Sequence, residues 1–250
     1  MARQKGIIKL KGTMGDITFY KSIDGFLARE KGGIEASRIA TDPAFVRTRE
    51  NGMEFGNSAM AGKLLRDTLR SLSMNASDCR VTSRLTKTMA KIKNLDTTSP
   101  RGERNVATGL ATPAGKELLK GFNFNVKAPL GAVLHVPLRL VPAGGEIIID
   151  DLSTLNDVSV PQDTTHVVFK SAYAVINFAT GYTALVVATP HRLAVSPDTE
   201  AVDLCPPAPL PSLPGIKFMI LCIEFVQEVN GADYSLKNGA YNVMNIIEVL

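Results

Sequence analysis

Near residue 120 the chain changes both its periodicity and its charge, and this coincidence restricts what it can fold into. Before that point turns and amphipathic helices dominate. Beyond it, short β-prone runs recur between turn signals with no helical pattern. Residues 1–120 hold 22 Lys and Arg against 12 Asp and Glu, a balance of +10. Residues 121–250 hold 6 against 12, a balance of −6. The net charge of +4 conceals this split. Helices and strands in separate runs specify an α+β fold. Three segments are expected: an N-terminal β-meander or arm over residues 1–36, a basic helical region over 37–125, and an acidic antiparallel β-sandwich, Ig-like or jelly-roll-like, over 126–250.

The meander is read from Ile7-Ile8-Lys9-Leu10, Ile17-Thr18-Phe19-Tyr20 and Phe26-Leu27-Ala28-Arg29. Gly12–Gly15 and Asp24-Gly25 supply the turns, and Asp-Gly between β-prone runs is a strong hairpin signal. A meander this short is marginal alone and has to pack on its own second half or on a neighbouring copy.

Thr41-Asp42-Pro43 marks a helix start, a capping oxygen followed by Pro at the first helical position. Gly52 and Gly56 predict an interruption after it. Over Ser58–Leu72 the pattern clears: Ala61, Leu64, Leu65, Thr68, Leu69 and Leu72 share one face, with Lys63, Arg66 and Arg70 opposite. A second helix, about Asp78 to Lys93, aligns Val81, Leu85, Met89 and Ile92, with Arg80, Arg84, Lys87 and Lys91 as a basic stripe beside them. Asn94–Thr112 reads as a polar loop containing Arg101 and Arg104, followed by a short helical turn at Pro113–Lys120 closed by Gly121.

In the second half, strands are expected at Val133–Leu140, Glu146–Ile149, His166–Phe178, Tyr182–Val187, Ile216–Val229 and Ile246–Val249. Ile216–Val229 is apolar at odd and even positions alike, which predicts a central strand buried on both faces. At that length, and containing Glu224, it is far too short to span a bilayer as a helix. The N-terminus has no secretory signal pattern. A cytoplasmic protein, or a subunit of a released assembly or particle, is expected, with no membrane contact.

Motifs that carry chemistry do not survive inspection. Gly56–Leu64 imitates a phosphate-binding loop, but five residues separate its glycines and Leu64 stands where a hydroxyl is needed. Gly56 and Gly62 there suit close packing or a kink. Asp150-Asp151 and Asp157 occupy turn-rich sequence, where Asp serves local hydrogen bonds. Cys79, Cys205 and Cys222 form no disulfide framework or zinc pattern, and Cys222 reads as a core residue. A metal site built from His135, His166 and His191 is geometrically conceivable but has no supporting spacing. No catalytic residue, cofactor or metal is assigned, and the chain is not expected to be an enzyme.

Residues Gly6–Gly33 and Thr41–Gly62, with Arg80-Val81-Thr82-Ser83-Arg84 and Gln227–Gly231, together resemble a family of uncharacterised proteins from Bacteroidota genomes. The resemblance covers most of the chain. It implies no activity, and no functional residue is transferred from it.

The constellation that remains is the basic patch: Lys63, Arg66, Arg70, Arg80, Arg84, Lys87, Lys91, Arg101 and Arg104. Such stripes are commonly solvated faces. Here no Asp or Glu interleaves on the Arg80–Lys91 row, so it can receive either phosphates or the acidic half of another copy. The first expectation is a non-enzymatic structural protein that assembles with itself as a filament, tube or phage-like shell subunit, through contacts between basic and acidic halves. The alternative is a non-specific nucleic-acid-binding or packaging protein using the basic helical faces. A third reading is a partner-binding or adhesin-like sandwich with the helices as scaffold.

Overall fold

A computed structural model describes residues 2–30, 32–76 and 78–250, with backbone alone for residues 237 and 238. The contacts group the chain into two compact units, Met1–Arg49 and Glu50–Leu250. This boundary differs from the segmentation at 36 and 125, because the helices after residue 50 and the sheets share apolar cores.

The first unit is a four-stranded antiparallel sheet in the order β1-β4-β3-β2, with β1 at Ala2–Arg3, β2 at Gly12–Met14, β3 at Ile17–Ser22 and β4 at Gly25–Glu30. A hairpin forms at the Asp24-Gly25 signal, but its two turn residues are Ile23 and Asp24, because Gly25 already pairs with Ser22 as the first residue of β4. The expected strand at Ile7–Leu10 does not form. Residues 4–11 are a loop in which Ile7 and Ile8 are 102% and 80% exposed. Its backbone is tied to Gln4, whose side chain accepts from Leu10 N and donates to Leu10 O and Leu27 O. Helix α1 (Ala36–Thr41) follows. Asp42 then caps a 3-10 turn, Pro43–Phe45, accepting from Ala44 N at 2.9 Å.

Helix α2 runs unbroken from Val46 to Thr68, through both Gly52 and Gly56. The expected interruption is absent, since propensity costs of about 1 kcal/mol per Gly are small beside the burial of Leu65 and its neighbours. Gly62 packs against Leu85 and Met89, whereas Gly52 and Gly56 face open space. Short helix α3 (Arg70–Ser73) buries Leu72 in the core, and α4 (Val81–Lys93) supplies Leu85, Met89 and Ile92. The segment expected to be a loop contains a further helix, α5 (Val106–Leu110), capped by Asn105, and α6 (Pro113–Leu119) is capped by Thr112. These elements nest tightly. A Cβ on Gly109 would lie 2.1 Å from the Ile92 carbonyl oxygen, and one on Gly115 would lie 2.1 Å from that of Gly109.

The remainder is antiparallel β structure, entered through a single helical turn, α7 (Leu130–Val133). Of the strand expected at Val133–Leu140 only the end forms: Val133 closes this turn, Leu134 makes an isolated bridge to Val158, and residues 135–138 are irregular. Strands β5 (Arg139–Val141), β6 (Glu146–Ser153) and β10 (Thr199–Leu204) form one sheet in the order β10-β6-β5. The larger sheet is centred on β7 (His166–Ile176) and β11 (Ile216–Val229), paired from Ile216↔Ile176 to Val226↔His166. On the outer side of β7 lie β8 (Thr183–Val187) and β9 (His191–Ala194). On the outer side of β11 lie β12 (Ala232–Ser235) and β13 (Val243–Val249). Asn230-Gly231 closes the β11–β12 hairpin with φ of 53° and 78°, the left-handed pair that a two-residue turn of this kind requires.

Strand β11 is buried on both faces, as its unbroken apolar run demands. Met219, Leu221, Ile223 and Phe225 meet Ile147, Ile149, Val202 and Leu204 of the smaller sheet. Phe218, Ile220 and Cys222 meet the helix residues Leu65, Leu85, Met89, Ile92 and Leu119. The chain is therefore α+β, with an N-terminal meander and helices preceding a sandwich-like pair of antiparallel sheets, and the helices form a third layer behind the larger sheet.

This packing fixes opposite outcomes for two Gly→Ala changes. Gly109→Ala forces a methyl into backbone and should lower unfolding stability by about 3 kcal/mol. Gly52→Ala, in open space within a continuous helix, should raise it by about 1 kcal/mol. Denaturant titration of both variants checks the nesting and the continuity of α2 together.

Candidate interaction surface

The residues of the predicted basic patch separate into two groups. Lys63, Arg70, Arg80, Lys87 and Lys91 are exposed, and no described carboxylate pairs with any of them. In the second group Arg66, Arg84 and Arg101 are held by the protein itself, and Arg104 is half-buried with its Nε lacking a hydrogen-bond partner among the described residues.

Arg84 is the clearest member of the second group. It pairs with Asp78, which is almost buried, and donates to the carbonyls of Asn123 at 2.7 Å and Phe124 at 2.9 Å. Its guanidinium also lies over the Phe122 ring, 5.1 Å from the centroid. Asp78 takes backbone N–H groups from Arg80 and Val126 as well. Burial raises its carboxyl and is outweighed by these hydrogen bonds and by Arg84, so the pKa lies below the ordinary value. Segment 121–124, which Arg84 grips, runs beside β13: Gly121 N and Phe124 N donate to Ile246 O and Met244 O. Arg84 thus clamps the helical layer to the sheet, and its charge is satisfied inside the fold. The absence of acidic residues on the stripe was misleading here, because Asp78 precedes the helix.

One of the loop arginines is engaged as well. Arg101 pairs with Glu50 at 3.1 Å. Glu54, 5% exposed, pairs with Lys93 and accepts from Gly102 N at 2.9 Å. The Lys93 ammonium is the main cause of its lowered pKa, with Arg104 contributing at longer range. Arg104 is half-buried. Arg66 donates to Thr82 Oγ1 and thereby ties α2 to α4. Beside that contact Phe55, Thr82, Ser83, Thr86, Lys87 and Ala90 line an open cleft of about 560 Å³. Phe55 is 62% exposed at its edge.

Asp96 organises the loop from below and went unnoticed in the sequence. It is 1% exposed and has no cationic partner among the described residues; it accepts from Thr98 N, Thr98 Oγ1, Ser99 N, Asn105 N and Asn105 Nδ2. Burial pushes its pKa up, but hydrogen bonds from Ser99, Asn105 and Thr98 outweigh it and hold the carboxyl far below the ordinary carboxylate range. The D-x-T-S spacing was the available signal, an Asx-type turn ahead of the Asn105 cap.

The acidic side is also sorted by pairing. Arg192 bonds Asp233 at 3.0 and 3.1 Å and also Glu228; Lys170 pairs with Glu224, Lys120 with Glu248, and Arg139 with Asp150. Glu146, Asp151 and Asp203 have no ion-pair partner among the described residues, and all three belong to the smaller sheet. Along β6 and β10, Ile147, Ile149, Val202 and Leu204 point inward, so Glu146, Ile148, Asp150, Ala201 and Asp203 form the outer face. Asp157 caps the turn after β6, accepting from Ser153 N at 2.8 Å.

The histidines are not brought together. Ligand atoms of His166, Glu228 and Asp233 lie within 4.8 Å of one another, but the Arg192 guanidinium already neutralises both carboxylates. His191 faces Glu200. His135 Nε2 lies 2.9 Å from Ser159 Oγ at the rim of a cavity of about 490 Å³ that includes Asp163 and Tyr241. Among the described residues no carboxylate meets the other ring nitrogen, the group that orients a catalytic base. Cys222 is a core residue, its thiol pushed up to about 12 by burial. Gly56–Leu64 lies within α2 and forms no loop.

Comparison with protein-family models, with curated proteins and with solved structures returned no match. No described helix is long and apolar enough to cross a membrane.

Two measurements follow from these assignments. Asp96→Ala should cost roughly 3 kcal/mol at neutral pH, since it orphans several buried donors. Because the folded pKa of Asp96 is depressed, the stabilisation is complete above about pH 5 and drains as pH falls toward the folded value. The gap between wild type and variant should therefore narrow in acid, read by denaturation at pH 7 and pH 3. Separately, Arg84→Ala should lower stability by roughly 2 kcal/mol or more, and Lys87→Ala by less than about 0.5.

Proposed function

We propose that this chain is a non-enzymatic structural subunit that assembles with itself, as a filament, tube or phage-like shell component in the cytoplasm or in a released particle. The observation that carries this reading is the composition of the first unit. None of its described residues is buried, yet Ile7, Ile8, Met14, Ile17, Ile23 and Ile34 are exposed large apolar side chains. A sheet without a core cannot offset the entropy of ordering its own backbone, so it needs an apolar surface against it. The charge split supports a surface on another copy. Residues 1–49 hold 10 Lys and Arg against 5 Asp and Glu, and the sheets carry the opposite excess. A contact between different patches on successive copies generates rings or open filaments.

A second reading rests on a separate observation, the five exposed cations of the helices that lack carboxylate partners. It makes the protein a phosphate-backbone binder with no sequence preference and a steep salt dependence.

Sedimentation of nuclease-treated protein over a concentration series separates the two. The assembly reading expects species larger than one chain at low salt, dissociating as salt rises, with no absorbance from nucleic acid. A monomer at all concentrations overturns it. The second reading expects added DNA to bind, and Lys87→Glu with Lys91→Glu to weaken that binding at least tenfold.

A further inference from the structure

We infer that the N-terminal arm of one copy docks on the outer face of the three-stranded sheet of a second copy. The inference rests on the assembly reading above and adds the two surfaces that meet.

The arm's docking element is the loop between β1 and β2. Lys5, Lys9 and Lys11 alternate there with Ile7, Ile8 and Leu10, and all six are exposed. Lys9 Nζ reaches only a backbone carbonyl, that of Gln4, and no described carboxylate pairs with Arg3, Lys5, Lys9 or Lys11. Gln4 fixes the loop at both ends, so its apolar side chains are presented on a closed backbone. Isoleucines exposed to this degree, on a loop held in shape, form an apolar patch edged with positive charge.

The sheet offers the reverse. Its outer face sets Ile148 between Asp203 on β10 and Arg139 on β5, each directly across from it in register. Glu146 and Asp150 flank Ile148 along β6. Arg139 is already committed to Asp150 through two hydrogen bonds of 3.1 Å. That leaves Glu146, which accepts from Cys205 Sγ at 3.4 Å, and Asp203 without a direct ion pair among the described residues, though both feel Arg139 at longer range; they lie beside Ile148 and Ala201, with Asp151 further along the strand. Elsewhere the sheets' acidic residues are largely paired: Glu224, Glu228, Asp233 and Glu248 all meet Lys or Arg. Asp157, Asp163 and Asp198 also lack ion pairs among the described residues but lie in loops, so among the strands it is this face that sets unpaired carboxylates beside an accessible apolar residue. Lysines that alternate with isoleucines match carboxylates that alternate with isoleucine. Oriented charges of this kind set partner and register more than raw affinity.

The occupant is a second copy of this chain, because the acidic face and the basic apolar loop both belong to it and are different patches. Such a contact is head-to-tail and repeats.

The test is charge exchange in the full chain, followed by sedimentation at low salt after nuclease treatment. Lys9→Glu with Lys11→Glu, and separately Glu146→Lys with Asp203→Lys, should each weaken assembly roughly tenfold or more, while the four changes together restore it to within about threefold. Circular dichroism and melting curves establish that each variant is folded. Wild-type protein that assembles, with variants that assemble equally well, overturns these surfaces and leaves self-assembly standing. Wild-type protein that never assembles overturns both. Assembly that nuclease abolishes shows nucleic acid as the bridge and overturns the inference.

Discussion

Strand β11 is apolar on both faces, and a strand of that kind has to be covered twice. One cover is the smaller sheet, through Ile147, Ile149, Val202 and Leu204. The other is the helical layer, through Leu65, Leu85, Met89 and Ile92. Each fully buried Leu, Ile or Phe side chain contributes about 1.5–3 kcal/mol, so the two interfaces outweigh the local costs elsewhere. The glycines of α2, the desolvation of Asp78 and the close approach of Gly109 to Ile92 are all tolerated on that account. Once the helices are held against β11, Arg84 can bridge from α4 to segment 121–124, and its charge ceases to be a surface property.

The same constraint sorts the charges into structural and available ones. Cations that face the buried layer find carboxylates, Lys93 with Glu54 and Arg84 with Asp78, and the exposed Arg101 of the loop pairs with Glu50. Those on the outer side of the helices do not. On the acidic side, long side chains at the rim of the larger sheet are paired, while the outer face of the smaller sheet keeps free carboxylates. Charge balance, read this way, leaves the outer cations of the helices and the outer-face carboxylates of the smaller sheet without ion pairs among the described residues.

Much of this architecture was legible in the sequence. Ile216–Val229 was delimited to the residue, because a long apolar run ends against a Pro-rich segment on one side and Asn-Gly on the other. The helix Val81–Lys93 was legible from its stripe. The failures have physical causes. Gly52 and Gly56 suggested a break in α2, but tertiary packing overrides a local propensity of that size. Ile7–Leu10 has strand-like residues and no partner to pair with. Strands β9, β10 and β12 were missed because they are short and carry charge on their exposed positions, as outer strands do. For the site, a count of basic residues could not show which would be neutralised. Asp78 and Glu54 lie six and thirty-nine positions from the cations they hold, and only folding makes them neighbours.

The proposal that another copy completes the coreless, basic arm is open to direct measurement. Hydrogen exchange of the arm's amides, followed by mass spectrometry at rising protein concentration and low salt, addresses it directly. Protection over residues 2–30 is expected to increase with concentration, with matching protection over Glu146–Asp151 and Thr199–Asp203, and salt should reverse both. Exchange in the arm that is rapid and identical at every concentration would contradict it.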